Sequence, residues 1–317
     1  MSRSARAALL LLLTAMIWGA AFVAQDVAAD ALEPFTFNGL RMVLAALTLV
    51  PVIAFRHRAA CKAAAAAGAD AKAVKPTLLP QDPAQRRFLL LGGLACGVML
   101  ALGSGFQQLG INAGVQAGKA GFITALYIVL VPLTGLFFGK RPTLLVWVAV
   151  VLSAIGLYLL CMQGGFVLES GDILLLLCAL SFTGHILVVD YVGAKVDGVK
   201  LSCIQFAVTA VICLTIAAFT EHPTWAAVKT AAIPILYAGI LSGGVGYTLQ
   251  IVAQKDIDPT IASLIMCLES VFAVIFGWLL LGDSMSLREY LGCAVMMIGI
   301  VLAQVPAGGH CPPAPPA

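Results

Sequence analysis

Apolar residues run along this chain in ten long stretches, separated by short segments that carry proline, glycine or charge. The stretches cover residues 7–25, 34–55, 88–109, 117–138, 143–161, 172–191, 201–219, 231–253, 259–281 and 287–305. A helix needs roughly 20 apolar residues to cross the hydrocarbon core of a bilayer. Because only a helix satisfies its own backbone polar groups in lipid, the pattern predicts ten transmembrane helices.

The first apolar stretch occurs a second time in the chain. The sequence LLLLLTAMIWGAAFVAQD at 9–26 aligns with ILLLLCALSFTGHILVVD at 173–190, and both copies end in aspartate. The offset is 164, which places Trp18 on Phe182. The repetition indicates that the chain is built from two similar halves.

Other stretches repeat in the same order. The second and seventh match at an offset of 164, with Arg41 on Gln205, the third and eighth at 142, and the fifth and tenth at 143. The fourth and ninth align only with a gap. Each half holds five predicted helices, an odd number, so the second half enters the membrane from the opposite side. The predicted fold is an all-α integral membrane protein of ten transmembrane helices in two inverted five-helix repeats. The predicted units are a first repeat at 1–161 with a cytoplasmic loop at 56–87, a second repeat at 172–305, and a disordered, proline-rich tail at 306–317.

Composition supports a bilayer as the solvent. Hydrophobic residues make up 61% of the chain and charged residues only 10%, against about 45–50% and about 25% in soluble domains. A net charge of +3 is too small to indicate nucleic acid. The expected partners are membrane lipids and a small-molecule substrate, and a homodimer is a possible assembly. None of the nine cysteines has CxxC spacing, and GVQAGKA lacks the spacing of a nucleotide-binding loop, so we expect no metal and no cofactor.

Lysine and arginine predict the orientation of the helices. With the N-terminus in the cytoplasm, the inner loops hold 14 of these residues and the outer loops hold 3. Positive charge is enriched on the cytoplasmic side of membrane proteins. The sequence therefore predicts a multi-pass protein of the cytoplasmic (inner) membrane with both termini in the cytoplasm.

Several segments resemble the EamA-type branch of the drug/metabolite transporter superfamily. The resemblance rests on LLLTAMIWGAAFV, EPFTFNGLR, AGFITALYIVLVPLTGLFFGKRP, GDILLLLCALSFTGHIL and ASLIMCLESVFAVIFGWLLLGDSMSLREYLGCAVMMIGI. It implies ten helices, a central cavity lined mainly by helices 1, 3, 4, 6, 8 and 9, and transport of small metabolites. The family usually reads Glu-Pro in helix 9, whereas this chain reads Glu269-Ser270. We therefore expect no proline-dependent bend in that helix.

Glu269 is the strongest candidate for chemistry. It follows Pro259 by ten residues, or about 15 Å along a helix, which places it near the middle of the bilayer. A charge at that depth costs at least about 2.5–3.5 kcal/mol, so such residues usually face a cavity or a partner. We expect Glu269 to be a protonatable group coupled to transport. A carboxyl that only ties two helices together is the alternative.

The other candidate residues lie in the presumed cavity helices. The predicted substrate-binding set is Trp18, Gln108, Lys119, Tyr127, His185, Tyr247, Gln250 and Glu269. His185 could relay a proton or simply pack. Lys119 and Arg41 are expected to anchor helix ends by extending to the headgroups, and anion binding is the alternative.

These patterns favour a secondary transporter of small organic metabolites, with export as the preferred direction. Inverted repeats with a site near mid-membrane are typical of alternating access, although channels also contain them. The alternatives are an integral-membrane enzyme acting on a lipid-like substrate and a membrane scaffold or sensor. An enzyme would gather polar residues near one membrane face, whereas here they lie deep or scattered.

Overall fold

The structure, a computed structural model, describes residues 2–66, 79–115, 117–162, 169–281 and 286–304. Every regular element in these residues is helical, and nine of the helical segments among them are long and apolar enough to cross a membrane. The tenth apolar stretch forms a helix of 17 residues, Leu287–Ala303. The predicted tail at 306–317 and residues 67–78 of the predicted loop lie outside the described part.

The helices follow the predicted stretches in order. The first half contains α1 (Arg3–Ala29), α2 (Pro34–Ala66), α3 (Pro83–Asn112), α4 (Ala117–Thr124), α5 (Tyr127–Phe137) and α6 (Leu144–Cys161). The second half contains α7 (Ser170–Gly193), α8 (Gly198–Thr220), α9 (Trp225–Thr230), α10 (Ala232–Leu236), α11 (Thr248–Ala253), α12 (Pro259–Met266), α13 (Glu269–Leu281) and α14 (Leu287–Ala303). A π-helical segment, Tyr237–Tyr247, joins α10 to α11.

Side-chain caps determine where several helices begin. Asp82 and Asp258 each accept hydrogen bonds from backbone N–H groups in the first turn, and each precedes a proline at the first helical position. Ser286 caps α14 in the same way and forms a capping box with Glu289. A cap of this kind contributes about 1 kcal/mol, and proline at the first position removes no helical hydrogen bond. The polar breaks in the hydropathy pattern therefore become helix starts.

The fourth and ninth stretches are both interrupted at their centres. The interruptions lie at 125–126, between α4 and α5, and at 267–268, between α12 and α13. They are 142 residues apart, the offset of the third and eighth stretches, and α4 and α12 are both eight residues long. The prediction that these stretches align only with a gap is therefore wrong.

The ninth stretch is interrupted although it lacks the family's proline. The N–H of Leu268 bonds to the carbonyl of Ile265 at 3.1 Å, and the N–H of Ser270 bonds to Cys267 at 3.1 Å. These bonds span three residues instead of four, which tightens the turn as in a 3₁₀ helix. The helix is therefore interrupted without a proline-dependent bend, because the local hydrogen bonding, and not a missing N–H, interrupts it.

The helices pack in the pairs that a two-fold relation requires. The equivalent helices α2 and α8 pack against each other, and so do α6 and α14. In addition, α3 packs on α7. The equivalent of α3 is the π-helical segment together with α11, the equivalent of α7 is α1, and these also pack on each other. Each contact between the repeats therefore either joins two equivalent helices or occurs twice, once for each repeat, as expected for two repeats around a common two-fold axis.

Backbone contact between α6 and α14 is close because two glycines face each other. A Cβ built on Gly156 would lie 2.6 Å from the backbone N of Met296 and 2.7 Å from the carbonyl O of Gly292. A Cβ on Gly292 would lie 2.7 Å from the carbonyl O of Gly156. In lipid, small residues let helices approach and gain packing energy. These two helices therefore form a tightly packed pair that joins the two repeats.

Candidate functional site

A cavity lies between the two repeats. Its polar lining residues are Gln25, Arg41, Gln107, Thr124, His185, Ser242, Gln250 and Glu269. Its aromatic lining residues are Trp18, Phe22, Tyr127, Phe182 and Tyr247. These residues belong to helices 1, 3, 4, 6, 8 and 9 of the predicted ten, with Arg41 of helix 2 in addition. The cavity volume is about 50 Å³, whereas ligand sites usually measure about 300–1,000 Å³. A metabolite could enter only if the surrounding helices moved apart.

Tyr127 and Glu269 meet in the lining of this cavity. The Tyr127 hydroxyl donates a hydrogen bond of 3.1 Å to Glu269 Oε1, and the two residues are 4% and 7% exposed. Each is the first residue after an interruption, Tyr127 at the start of α5 and Glu269 at the start of α13. They occupy equivalent positions of the two repeats, so one hydrogen bond joins the repeats where their interrupted helices meet.

Aromatic rings form one wall of the cavity. The Trp18 and Tyr247 ring centroids are 4.6 Å apart, and the His185 ring stands edge-on to Tyr247 at 5.9 Å. The Trp18 indole N–H donates to the Ser242 carbonyl at 3.2 Å. Phe182, the repeat equivalent of Trp18, lines the same cavity. The wall therefore offers apolar ring faces beside a few fixed polar groups, which is typical of small-molecule sites.

Two buried pairs of polar side chains lie between equivalent helices, one between α1 and α2 and the other between α7 and α8. Arg41 Nη1 donates to Gln25 Oε1 at 3.4 Å, and His185 Nε2 lies 3.0 Å from Gln205 Oε1. Arg41 and Gln205 are the residues that the repeat aligns. Arg41 is only 4% exposed, so the expectation that it extends to the headgroups is wrong. The physical reason is that the π-helical segment packs against α2, and that Gln25 of α1 holds the guanidinium in the cavity lining.

Most of the predicted substrate-binding residues come together in the cavity. Those that line it are Trp18, Tyr127, His185, Tyr247, Gln250 and Glu269. Gln108 is not among the lining residues: it is buried and its amide donates to Asn112 Oδ1 at 3.1 Å. Its neighbour Gln107 lines the cavity instead, because successive residues on a helix point roughly 100° apart. Lys119 lies in α4, but its side chain lies outside the described residues.

Sequence reasoning missed several cavity residues. These are Gln25, Arg41, Gln107, Thr124, Phe182 and Ser242. The one available signal was the alignment of Arg41 with Gln205, since a polar residue at the same position of both apolar repeats is costly in lipid unless it faces a cavity or partner. In the described part of the chain, no group of three or more His, Cys, Asp or Glu residues is arranged to hold a metal ion.

The helices and the cavity define a multi-pass membrane protein built from two repeats, a class that includes the secondary transporters. The sequence model of the EamA-like transporter family matches residues 5–162 and 169–304. The chain therefore belongs to the EamA-like transporter family, and it is a membrane transporter.

Relatives across bacteria and archaea carry the same kind of name. An uncharacterized transporter of Archaeoglobus fulgidus is 27% identical over 93% of this chain and 84% of its own length. The uncharacterized inner membrane transporter YedA of Escherichia coli K12 is 23% identical over 95% of this chain and 90% of its own. A solved crystal structure matches with a TM-score of 0.74, covering 95% of this chain and 96% of that one at 16% identity. The last match shows a shared fold.

Proposed function

We propose that this protein is a secondary transporter that exports small organic metabolites by alternating access. The observation that carries the proposal is the hydrogen bond between Tyr127 and Glu269, at equivalent positions of two repeats and in the lining of the cavity between them. When inverted repeats exchange their conformations, the side to which a central site opens is also exchanged. Breaking and remaking a contact that joins the repeats would accompany each exchange.

We propose the cytoplasmic (inner) membrane as the location, with both termini in the cytoplasm. The distribution of lysine and arginine supports this orientation, with 14 such residues on the inner side and 3 on the outer side. Export would then run from the cytoplasm, where metabolites are made and accumulate. The names of the relatives support transport and not enzymatic action on a lipid, and we propose no catalytic activity.

Glu269 is the group through which protons would be coupled to this cycle. The charged and titratable groups that line the cavity with it are Arg41, Tyr127, His185 and Tyr247. A carboxyl without access to water is neutral unless a charge compensates it, and opening the cavity lets it ionise. Proton binding is thereby linked to the conformational exchange. One proton crossing 100 mV supplies about 2.3 kcal/mol, which is enough to shift a near-balanced pair of states.

Flux measurements in vesicles test this proposal. The full chain is reconstituted, and exchange and net flux of a metabolite panel are measured with and without an imposed pH gradient. Glu269→Gln keeps the shape of the carboxyl but cannot titrate, so it should retain exchange and lose the response to the gradient. Glu289→Gln is the matched control, because Glu289 is a buried carboxyl that caps α14 away from the cavity.

Two results would contradict the proposal. Wild-type flux that does not respond to the pH gradient would remove the coupling. A Glu269→Gln variant with full coupling, together with a Glu269→Ala variant that fails to fold, would assign Glu269 a structural role.

A further inference from the structure

Arg41 is a buried cation without a charged partner. Its side chain lines the cavity and is 4% exposed, and its Nε has no hydrogen-bond acceptor. Within the described part of the chain its one hydrogen bond is the 3.4 Å contact of Nη1 with Gln25, and its guanidinium lies 5.3 Å from the ring centre of Phe37. Among the described residues, no carboxylate is within salt-bridge distance of it.

A guanidinium in this position calls for an anion. Arginine remains protonated at all physiological pH values and presents N–H donors in a planar fork that fits a carboxylate. A buried charge is costly unless it is paired and hydrogen-bonded. Within membranes, such a residue therefore marks a substrate or ion pathway by default.

We propose that Arg41 and Gln25 bind the carboxylate of the transported molecule, so that the substrate is a small organic acid with an apolar body. This inference rests on the proposed transport function. The free Nε and the Nη groups of Arg41 would hold the two carboxylate oxygens. The apolar body would lie against the Trp18 and Tyr247 rings, which share the cavity with Arg41.

Charge balance then links the acid to Glu269. With Glu269 ionised, the empty cavity holds one positive and one negative charge. With a carboxylate on Arg41, the closed cavity is balanced only if Glu269 carries a proton. The organic anion and the proton would therefore occupy the cavity together, with Tyr127, His185 and Tyr247 as the other titratable lining groups.

Matched ligand pairs test the site by thermal stabilisation of the purified full chain. The probes are benzoate, 3-phenylpropionate and indole-3-acetate, each compared with its primary amide. Binding is measured instead of flux, because the neutral forms of these acids cross lipid unaided. The acids should stabilise the wild type, and the amides should not.

Variants then assign the effect to Arg41. Arg41→Gln should weaken binding of the acids by about 10- to 100-fold, since it removes hydrogen bonds to a charged group, and Arg41→Lys should lie between because it keeps the charge without the fork. The unfolding temperature of each ligand-free variant is measured first, so that loss of binding is scored only in folded protein. Arg288→Gln is the control, because Arg288 stands over the Tyr158 ring outside the cavity lining. Affinity is compared only at pH values at which the acid probes are fully ionised. In that range, affinity for the acids should rise as pH falls in the wild type and stay constant in Glu269→Gln.

The outcomes separate this inference from the transport proposal. Equal stabilisation by acids and amides, unchanged binding in Arg41→Gln, or no stabilisation by any acid would overturn the carboxylate site. Flux of neutral or cationic metabolites with a Glu269-dependent pH response would then leave the transporter intact. Conversely, acid binding that depends on Arg41 without flux of any metabolite in vesicles would keep the site and refute transport.

Discussion

The close contact of α6 and α14 allows a quantitative prediction for Gly156→Ala. The added methyl group would lie 2.6 Å from the backbone N of Met296 and 2.7 Å from the carbonyl O of Gly292. Neither atom belongs to a flexible side chain that can turn away. Since carbon contacts are optimal at about 3.5–4.0 Å, the two helices would have to separate by roughly 0.9 Å or more.

The matched variant Gly121→Ala isolates this steric effect. Both glycines lie within helices, and replacing either by alanine should favour the helix by about 1 kcal/mol. Outside its chain neighbours and the backbone of its own helix, no atom of the described residues lies within 4 Å of a Cβ at Gly121, so only the gain applies there. Overpacking of a tight contact costs about 1–3 kcal/mol. Gly156→Ala should therefore have a free energy of unfolding lower than that of Gly121→Ala by about 1–3 kcal/mol, or about 5- to 150-fold in the equilibrium constant.

Unfolding of the purified variants in mixed micelles, followed by the loss of helical circular dichroism as denaturing detergent is added, measures this difference. Gly156→Ala should unfold at a lower fraction of denaturing detergent than Gly121→Ala, and at a fraction no higher than the wild type, because the helix gain at most offsets the packing cost. Equal midpoints for the two variants would refute the backbone contact between α6 and α14. A change in transport alone, with stability unaltered, would also contradict a packing role for Gly156.

A methyl group on Gly246 would reach within 2.7 Å of Trp18 Nε1. Gly246→Ala should therefore displace the indole from its hydrogen bond to the Ser242 carbonyl and slow metabolite exchange by about 10-fold, the effect of one lost hydrogen bond. Wild-type exchange in vesicles would mean that the position of Trp18 in the cavity wall is unimportant. For the orientation, Lys62→Cys and Ala226→Cys are compared in a chain without native cysteines, using a membrane-impermeant maleimide. Position 226 should react in intact cells and position 62 only in broken ones, and the reverse pattern would invert the proposed topology.

Hydropathy alone predicted most of the helical architecture, because lipid applies the same demand to every spanning segment. Each segment must be apolar over about 20 residues and must satisfy its own backbone, and both requirements are visible along the sequence. The duplication at offsets of 164 and 142 was also visible in the sequence, because equivalent segments of the two repeats keep similar apolar patterns. The sequence also indicated Glu269, since an acid inside an apolar stretch requires a partner that lipid cannot supply.

The tertiary structure decided which side chains share the cavity. The sequence predicted Arg41 as an anchor because its depth along α2 allowed it to reach the headgroups. The packing of the π-helical segment on α2 and the hydrogen bond to Gln25 of α1 hold it in the cavity lining instead. Gln107 and Gln108 are equally polar, and the rotation of α3 about its axis turns Gln107, and not Gln108, towards the cavity. Tyr127 and Glu269 lie 142 residues apart, and their 3.1 Å contact exists because two interrupted helices cross at the same level. Hydropathy records how deep a residue lies in its own helix. The rotation of a helix about its axis, the place where it is interrupted and the helices that contact it depend on how all the helices pack together.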